Sequence, residues 1–341
     1  MFGSSCIGWY RCALVAAVVL FTIHAGAYAG PYSPGKGGVD EAAFIDAGIA
    51  GFVGPAGEGI TATDTNGNYI NPVFTAWATG VVDYTPSDQT TFYGQDGIGP
   101  QFADPTRVLG AVTGNNFDIV SLGDMTTAEL DDYFNDAADH YNPGSITLSF
   151  DQAITNGAGA DFAVFENGFV SNYTTGAGSV SGQMFAEIGF VEVSTDGVNF
   201  ARFPSSYLNY PLGEGLPSNT SYLTQDVSNL YNLAGKHANA YGESWGTPFN
   251  LDDLLDDQLV IDGIVLLNEI NFVRIVDIPG DGSFTDAAGN SIFDAWATWG
   301  SGGMDLDAIG VINAVVAVPE PASIVAILIG ATMITHRREH R

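Results

Sequence analysis

Several short stretches of this chain alternate polar and apolar residues, and each is cut off by glycine, aspartate or asparagine. Ser145-Ile-Thr-Leu-Ser-Phe150 and Ala160-Asp-Phe-Ala-Val-Phe165 come first. Phe190-Val-Glu-Val-Ser194, closed by a turn at Asp196-Gly197, is the next. Phe272-Val-Arg-Ile-Val-Asp277 and Ala308-Ile-Gly-Val-Ile312 complete the set. A strand turns its side chains to opposite faces in succession, so period-two patterning predicts half-buried strands. Such strands at irregular spacing, joined by long loops rich in Gly and Asp, predict an all-β fold: a jelly-roll-type β-sandwich.

Two short helical insertions interrupt this pattern. Thr126-Thr-Ala-Glu129 has the spacing of a capping box and predicts a helix running to about Asp139. Leu251-Asp-Asp-Leu-Leu-Asp-Asp is a second, shorter candidate. No linker rich in Pro or Ser divides residues 30–317, so they read as one β-sandwich body. One motif echoes within it. Asp64-Thr-Asn-Gly-Asn-Tyr-Ile70 precedes Ala76-Trp-Ala-Thr79, and Asp286-Ala-Ala-Gly-Asn-Ser-Ile292 precedes Ala295-Trp-Ala-Thr298. The spacing differs between the copies, so this is no regular repeat.

The two ends are different in kind. Arg11 precedes the apolar stretch Ala13–Ile23, and Ala27-Tyr28-Ala29 then places small residues where a signal peptidase needs them. This is the anatomy of a secretory signal peptide over residues 1–29, cleaved after Ala29. Both cysteines, Cys6 and Cys12, lie inside it. The mature body then has no disulfide, and must be held by core burial or bound metal. At the other end, Val318-Pro319-Glu320-Pro321-Ala322-Ser323 leads into an apolar run to Ile334 and a basic tail, His336–Arg341. A helix over 322–335 rises about 1.5 Å per residue and falls short of a hydrocarbon core of about 30 Å. The prolines hold the preceding segment extended. The tail therefore suits a transient membrane anchor offered to a membrane protease, with its arginines on the cytoplasmic side.

Residues 318–341 closely resemble the PEP-CTERM sorting signal. The resemblance implies recognition at Pro319-Glu320-Pro321 by exosortase, a membrane-embedded, cysteine transpeptidase-like enzyme of Gram-negative bacteria that make exopolysaccharide. It implies export to the cell surface or the extracellular matrix.

Without the two ends, 37 of the 39 acids and five of the nine bases remain, a net charge of -32. Nucleic acid and anionic lipid are poor partners for such a body. The acidity either keeps an exported protein soluble or binds divalent cations. Asp281, Asp286, Asp294, Asp305 and Asp307, threaded with glycines, are the candidate calcium ligands, because calcium takes six to eight oxygens and glycine lets carbonyls turn inward. Alternation places Asp305 and Asp307 on one side of their strand. Turn initiation by Asp explains the same residues without a metal. A second acidic cluster is Asp161, Glu166, Asn167 and Glu187, where paired carboxylates are compatible with glycoside hydrolysis. The body's two histidines, His140 and His237, form no recognisable metal or catalytic motif. Trp77, Trp245, Trp296 and Trp299 are read as core under loops in preference to sugar-stacking platforms.

Val191-Glu-Val-Ser-Thr-Asp-Gly-Val-Asn-Phe200 resembles a strand–turn–strand of galactose-binding-like and discoidin-like sandwiches. Asp104–Gly110, Val120–Gly123, Gly144–Phe150, Ala160–Phe169 and Gly303–Gly310 resemble a group of uncharacterised bacterial secreted cell-surface proteins, with the helix 126–139 as an insertion. The expectation is a non-catalytic adhesion or carbohydrate-binding module, stabilised by calcium, with polysaccharide as its partner. The alternative is a secreted, glycosidase-like hydrolase using surface carboxylates.

Overall fold

Each alternating stretch forms a strand in the computed structural model, which describes residues 47–55, 67–87, 97–135, 141–176, 178–209, 221–298 and 300–315. The strands are Ser145–Ile154, Phe162–Glu166, Gly189–Ser194, Ile270–Asp277 and Asp305–Val311. They belong to two antiparallel sheets. In one, the order is Ile49–Ala50, Trp245–Phe249, Phe162–Glu166, Asp305–Val311 and Ala76–Trp77, with Val120–Ser121 pairing the start of Asp305–Val311. In the other, it is Ala201–Arg202, Gly189–Ser194, Ile270–Asp277, Ser145–Ile154 and Gly80–Thr85. From Ser145 onward the long strands alternate between the sheets, which is the jelly-roll habit.

The alternation of the sequence explains what lies between the sheets. Phe162, Val164, Phe249, Ile309 and Val311 from the first sheet meet Ile146, Leu148, Val191, Val193, Val273 and Ile275 from the second in one buried cluster. Phe162 stacks on Phe249 with centroids 5.3 Å apart, and Phe203 meets both edge-on. Each such side chain contributes about 1.5–3 kcal/mol on leaving water.

Phe162–Glu166 is buried at every position, not half-buried as its alternation predicts. The reason is a further layer. Phe74 and Val112 cover the outer face and pack with Ala163, Phe165 and Ala308. Trp77 lies there too, its ring 4.9 Å from Phe74 and 5.8 Å from Phe165. A separate cluster, including Met184, Ile188, Phe190, Tyr207, Leu230, Ile278 and Phe293, forms under the long loops beyond the second sheet.

The capping box forms as read. The Thr126 amide donates to Glu129 Oε2 at 2.6 Å, and the Glu129 amide to Thr126 Oγ1 at 3.4 Å, opening the helix Thr127–Asn135. The second helical segment is a 3-10 turn, Leu251–Leu254, followed by the short helix Gln258–Ile261. The echoed motif ends each time in the return strand of a small ribbon, Asn68–Ile70 in one and Ser291–Phe293 in the other. Each return strand follows a glycine with positive φ, 85° at Gly67 and 87° at Gly289.

No helix among the described residues is long and apolar enough to cross a membrane. Ala27, Ala29, Pro319, Glu320, Pro321 and the apolar run after them lie outside the described residues, as do Trp299 and His140.

Candidate binding cleft at the rim of the sandwich

Sheet geometry brings several strand ends to one rim. Glu166 closes its strand opposite Leu306, so it sits beside Asp305 at the start of the neighbouring strand. Asp277 closes its strand opposite Gly189, just beyond Glu187. Asp124 follows Val120–Ser121, and Asp294 follows the ribbon strand Ser291–Phe293. All six carboxylates are buried.

Backbone amides and hydroxyls hold most of them. Asp124 accepts from the Met125 amide at 2.8 Å and the Thr298 amide at 2.9 Å. Glu166 Oε2 accepts from the Gly168 amide at 2.8 Å, and Glu187 Oε1 from the Thr298 hydroxyl at 2.7 Å. Asp277 Oδ1 accepts from the Met304 amide at 2.7 Å, and Asp294 Oδ2 from the Ile188 amide at 3.0 Å. Ser301, Ser121 and Asn167 surround Asp305 with polar side chains that favour its charged form.

These bonds do not offset desolvation. Burial, the largest cause, pushes Asp277 up to about 8 and Asp305 to about 7. Asp124, Glu166, Glu187 and Asp294 are driven well above the usual carboxylate range by burial first. Neighbouring charge adds to it: Asp277 acts on Asp124 and Asp294, and Asp305 acts on Glu166 and Glu187.

A cleft of about 220 Å³ opens onto this group. Asn167, Glu187, Thr298, Ser301 and Asp305 line its polar side; Phe169, Phe185 and Tyr222 line its apolar side. The rings form a continuous ledge. Phe169 stacks on Phe185 with centroids 5.0 Å apart and planes 18° apart. Tyr222 lies 6.2 Å from Phe185, and the exposed ring of Tyr241 meets Phe169 edge-on at 5.7 Å. Asp305 Oδ1, Asn167 Oδ1 and Asp277 Oδ2 are buried and accept no hydrogen bond.

The structure thus regroups the residues singled out from sequence. Glu166, Asn167 and Glu187 of the second cluster come together with Asp294 and Asp305 of the proposed calcium set. Asp161 does not join them. It sits at the other end of its strand, where it accepts from the amides of Gly157 and Leu251 and from Asn313 at 2.7–2.8 Å.

The remaining calcium candidates have hydrogen-bond partners of their own, and of them Asp281 lies near enough to the rim for its charge to act on Asp124. A bulge between Leu306 and Ala308 breaks the alternation, so Leu306 and Ile309 face the inner core while Ala308 faces outward. Asp307 accepts from the Thr113 and Gly114 amides and from Asn239 Nδ2, and burial raises it to about 6. Asp286 is occupied by the amides of Tyr207, Ala288 and Asn290 and by the Asn290 side chain. Asp281 accepts from the Ser283 amide and hydroxyl. For these two, turn formation is the role the structure displays. Among the described residues, no three His, Cys, Asp or Glu side chains are grouped so as to hold a metal ion by themselves.

Sequence reading did not find Asp124, Thr298, Ser301 or the ledge of Phe169, Phe185 and Tyr222. Their separation along the chain leaves no local signal; only the sheet order brings them together. Of the tryptophans, Trp77 packs half-buried against the outer cluster, Trp245 opens a strand half-buried, and Trp296 donates through Nε1 to the Met125 carbonyl at 2.8 Å. No protein-family model and no curated protein matches the chain.

Proposed function

We propose that this chain is an exported, non-catalytic surface or matrix protein that binds carbohydrate in the rim cleft. The observation that carries the reading is the pairing of an aromatic ledge with a floor of unsatisfied oxygen acceptors. A sugar ring presents apolar C–H faces that stack on aromatic rings and hydroxyls that donate to carboxylates and amide oxygens. Few other ligand classes offer both on one small ring. A polysaccharide partner also fits the sequence signals at the two ends. In this reading signal peptidase cuts after Ala29, the C-terminal helix anchors the chain transiently, and exosortase processes it at Pro319-Glu320-Pro321. The mature body then resides at the surface or in the exopolysaccharide matrix of a Gram-negative-type bacterium.

A second reading, a glycosidase-like hydrolase, draws on one specific observation. Glu187 and Asp305 both line the cleft, and both are raised, as a general acid must be near neutral pH. A glycan array probed with the full chain, with and without chelator, separates the two. Retention without new reducing ends supports binding; release of shortened glycans supports hydrolysis; no retained and no cleaved glycan overturns both.

A further inference from the structure

We propose that the floor of the rim cleft is a calcium site, with Asp305 as its central ligand and the Glu187 carboxylate and the Asn167 side-chain oxygen beside it. The inference takes from the carbohydrate reading only the choice of cleft.

Asp305 is 2 % exposed, lines the cleft, and has one carboxylate oxygen without a hydrogen-bond donor. A buried acceptor left unpaired is costly, and natural structures seldom tolerate it unless something binds there. Asn167 lines the same cleft and carries a second such oxygen. With Asp305 ionised, both atoms accept only, so neither can satisfy the other. Glu187 adds a third oxygen-bearing group, and its carboxylate feels the charge of Asp305.

Among the described residues, the arginines do not answer this need. Arg107 pairs with Asp118, and Arg202 and Arg274 share Glu192. A divalent ion would satisfy the open oxygens and neutralise the group at once. Two carboxylates and an amide oxygen fall short of calcium's six to eight ligands, so water completes the shell, or the hydroxyls of a bound sugar. That incomplete protein shell agrees with the absence of a self-sufficient metal cluster among the described residues. It also favours calcium over magnesium, which demands a tighter octahedron.

Tyr222 lines the same cleft and is an energy donor for terbium, which substitutes for calcium. The test is terbium titration of the full chain with tyrosine excitation and no glycan present. The expected result is saturable luminescence, displaced by calcium and not by sodium at matched ionic strength. Asp305→Asn should weaken terbium and calcium affinity about tenfold or more. Asp286→Asn, in a turn away from the cleft, should leave both unchanged. If Asp305→Asn fails to fold, Asn167→Ala must show the same direction of loss. Affinity undiminished in the Asp305 or Asn167 variant, equal displacement by sodium, or no saturable signal would each overturn the site. Because no sugar is present, failure here leaves the glycan array to judge the carbohydrate reading separately.

Discussion

Thr298 holds Glu187 from its hydroxyl, with Oγ1 donating to Glu187 Oε1 at 2.7 Å. The same hydroxyl accepts from the Gly303 amide at 3.0 Å, and the Thr298 amide donates to Asp124. One residue thus ties Glu187, Asp124 and the loop before Asp305 into a single rim. Thr298→Val keeps the shape and removes the hydroxyl. It leaves a buried carboxylate oxygen and a buried amide without this partner, a loss of about 1–3 kcal/mol. Denaturant unfolding checks this, and a change within a few tenths of a kcal/mol would show that water or another donor replaces Thr298.

The buried carboxylates set a direction for pH. Folded Asp305 and Asp277 lie at about 7 and about 8, above the ordinary aspartate value of about 3.9. The folded chain therefore keeps protons that the unfolded chain has released. The stability this confers is complete below about pH 4 and is lost as pH rises through the folded values. In chelator, the melting temperature should fall between pH 5 and pH 9, and Asp305→Asn should flatten part of that slope. A melting temperature that climbs over this window would contradict the burial of the charged rim.

Gly280 packs against Asp294 so closely that a Cβ would sit 1.7 Å from Asp294 Oδ1 and 2.6 Å from its backbone nitrogen. A rotamer change cannot relieve the second contact. Gly280→Ala should cost about 1–3 kcal/mol, whereas Gly176→Ala, with nothing within 4 Å, should be near neutral. Calorimetric melts of the two variants test the contrast, and equal melting temperatures would mean that the loop before Asp294 shifts freely.

The fold was legible where the sequence carries local information. Period two marks every long strand it was used to find, and the Thr126–Glu129 pair closes its box through two hydrogen bonds. The site was half legible. Glu166 and Glu187 stood out as paired carboxylates, but alternation alone could not show the bulge that turns Ala308 outward beside Asp307. Nor could it show the outer cover from Phe74 and Val112 that buries Ala163 and Phe165, since those contacts join residues far apart in the chain. The aromatic ledge depends on the pairing of Met184–Phe185 with Phe169–Val170, which no local pattern announces.

The molecule holds a second cleft, of about 470 Å³, beside Trp77, Thr79, Gly110, Asp151 and Gln152. Hydrogen–deuterium exchange of the full chain, with and without the glycan retained most strongly on the array, decides between the two. Protection confined to residues 166–187, 221–225 and 298–305 is the predicted result. Protection centred instead on residues 76–79 and 109–110, with the rim unchanged, would contradict the assignment of the acidic, aromatic-edged cleft as the binding site.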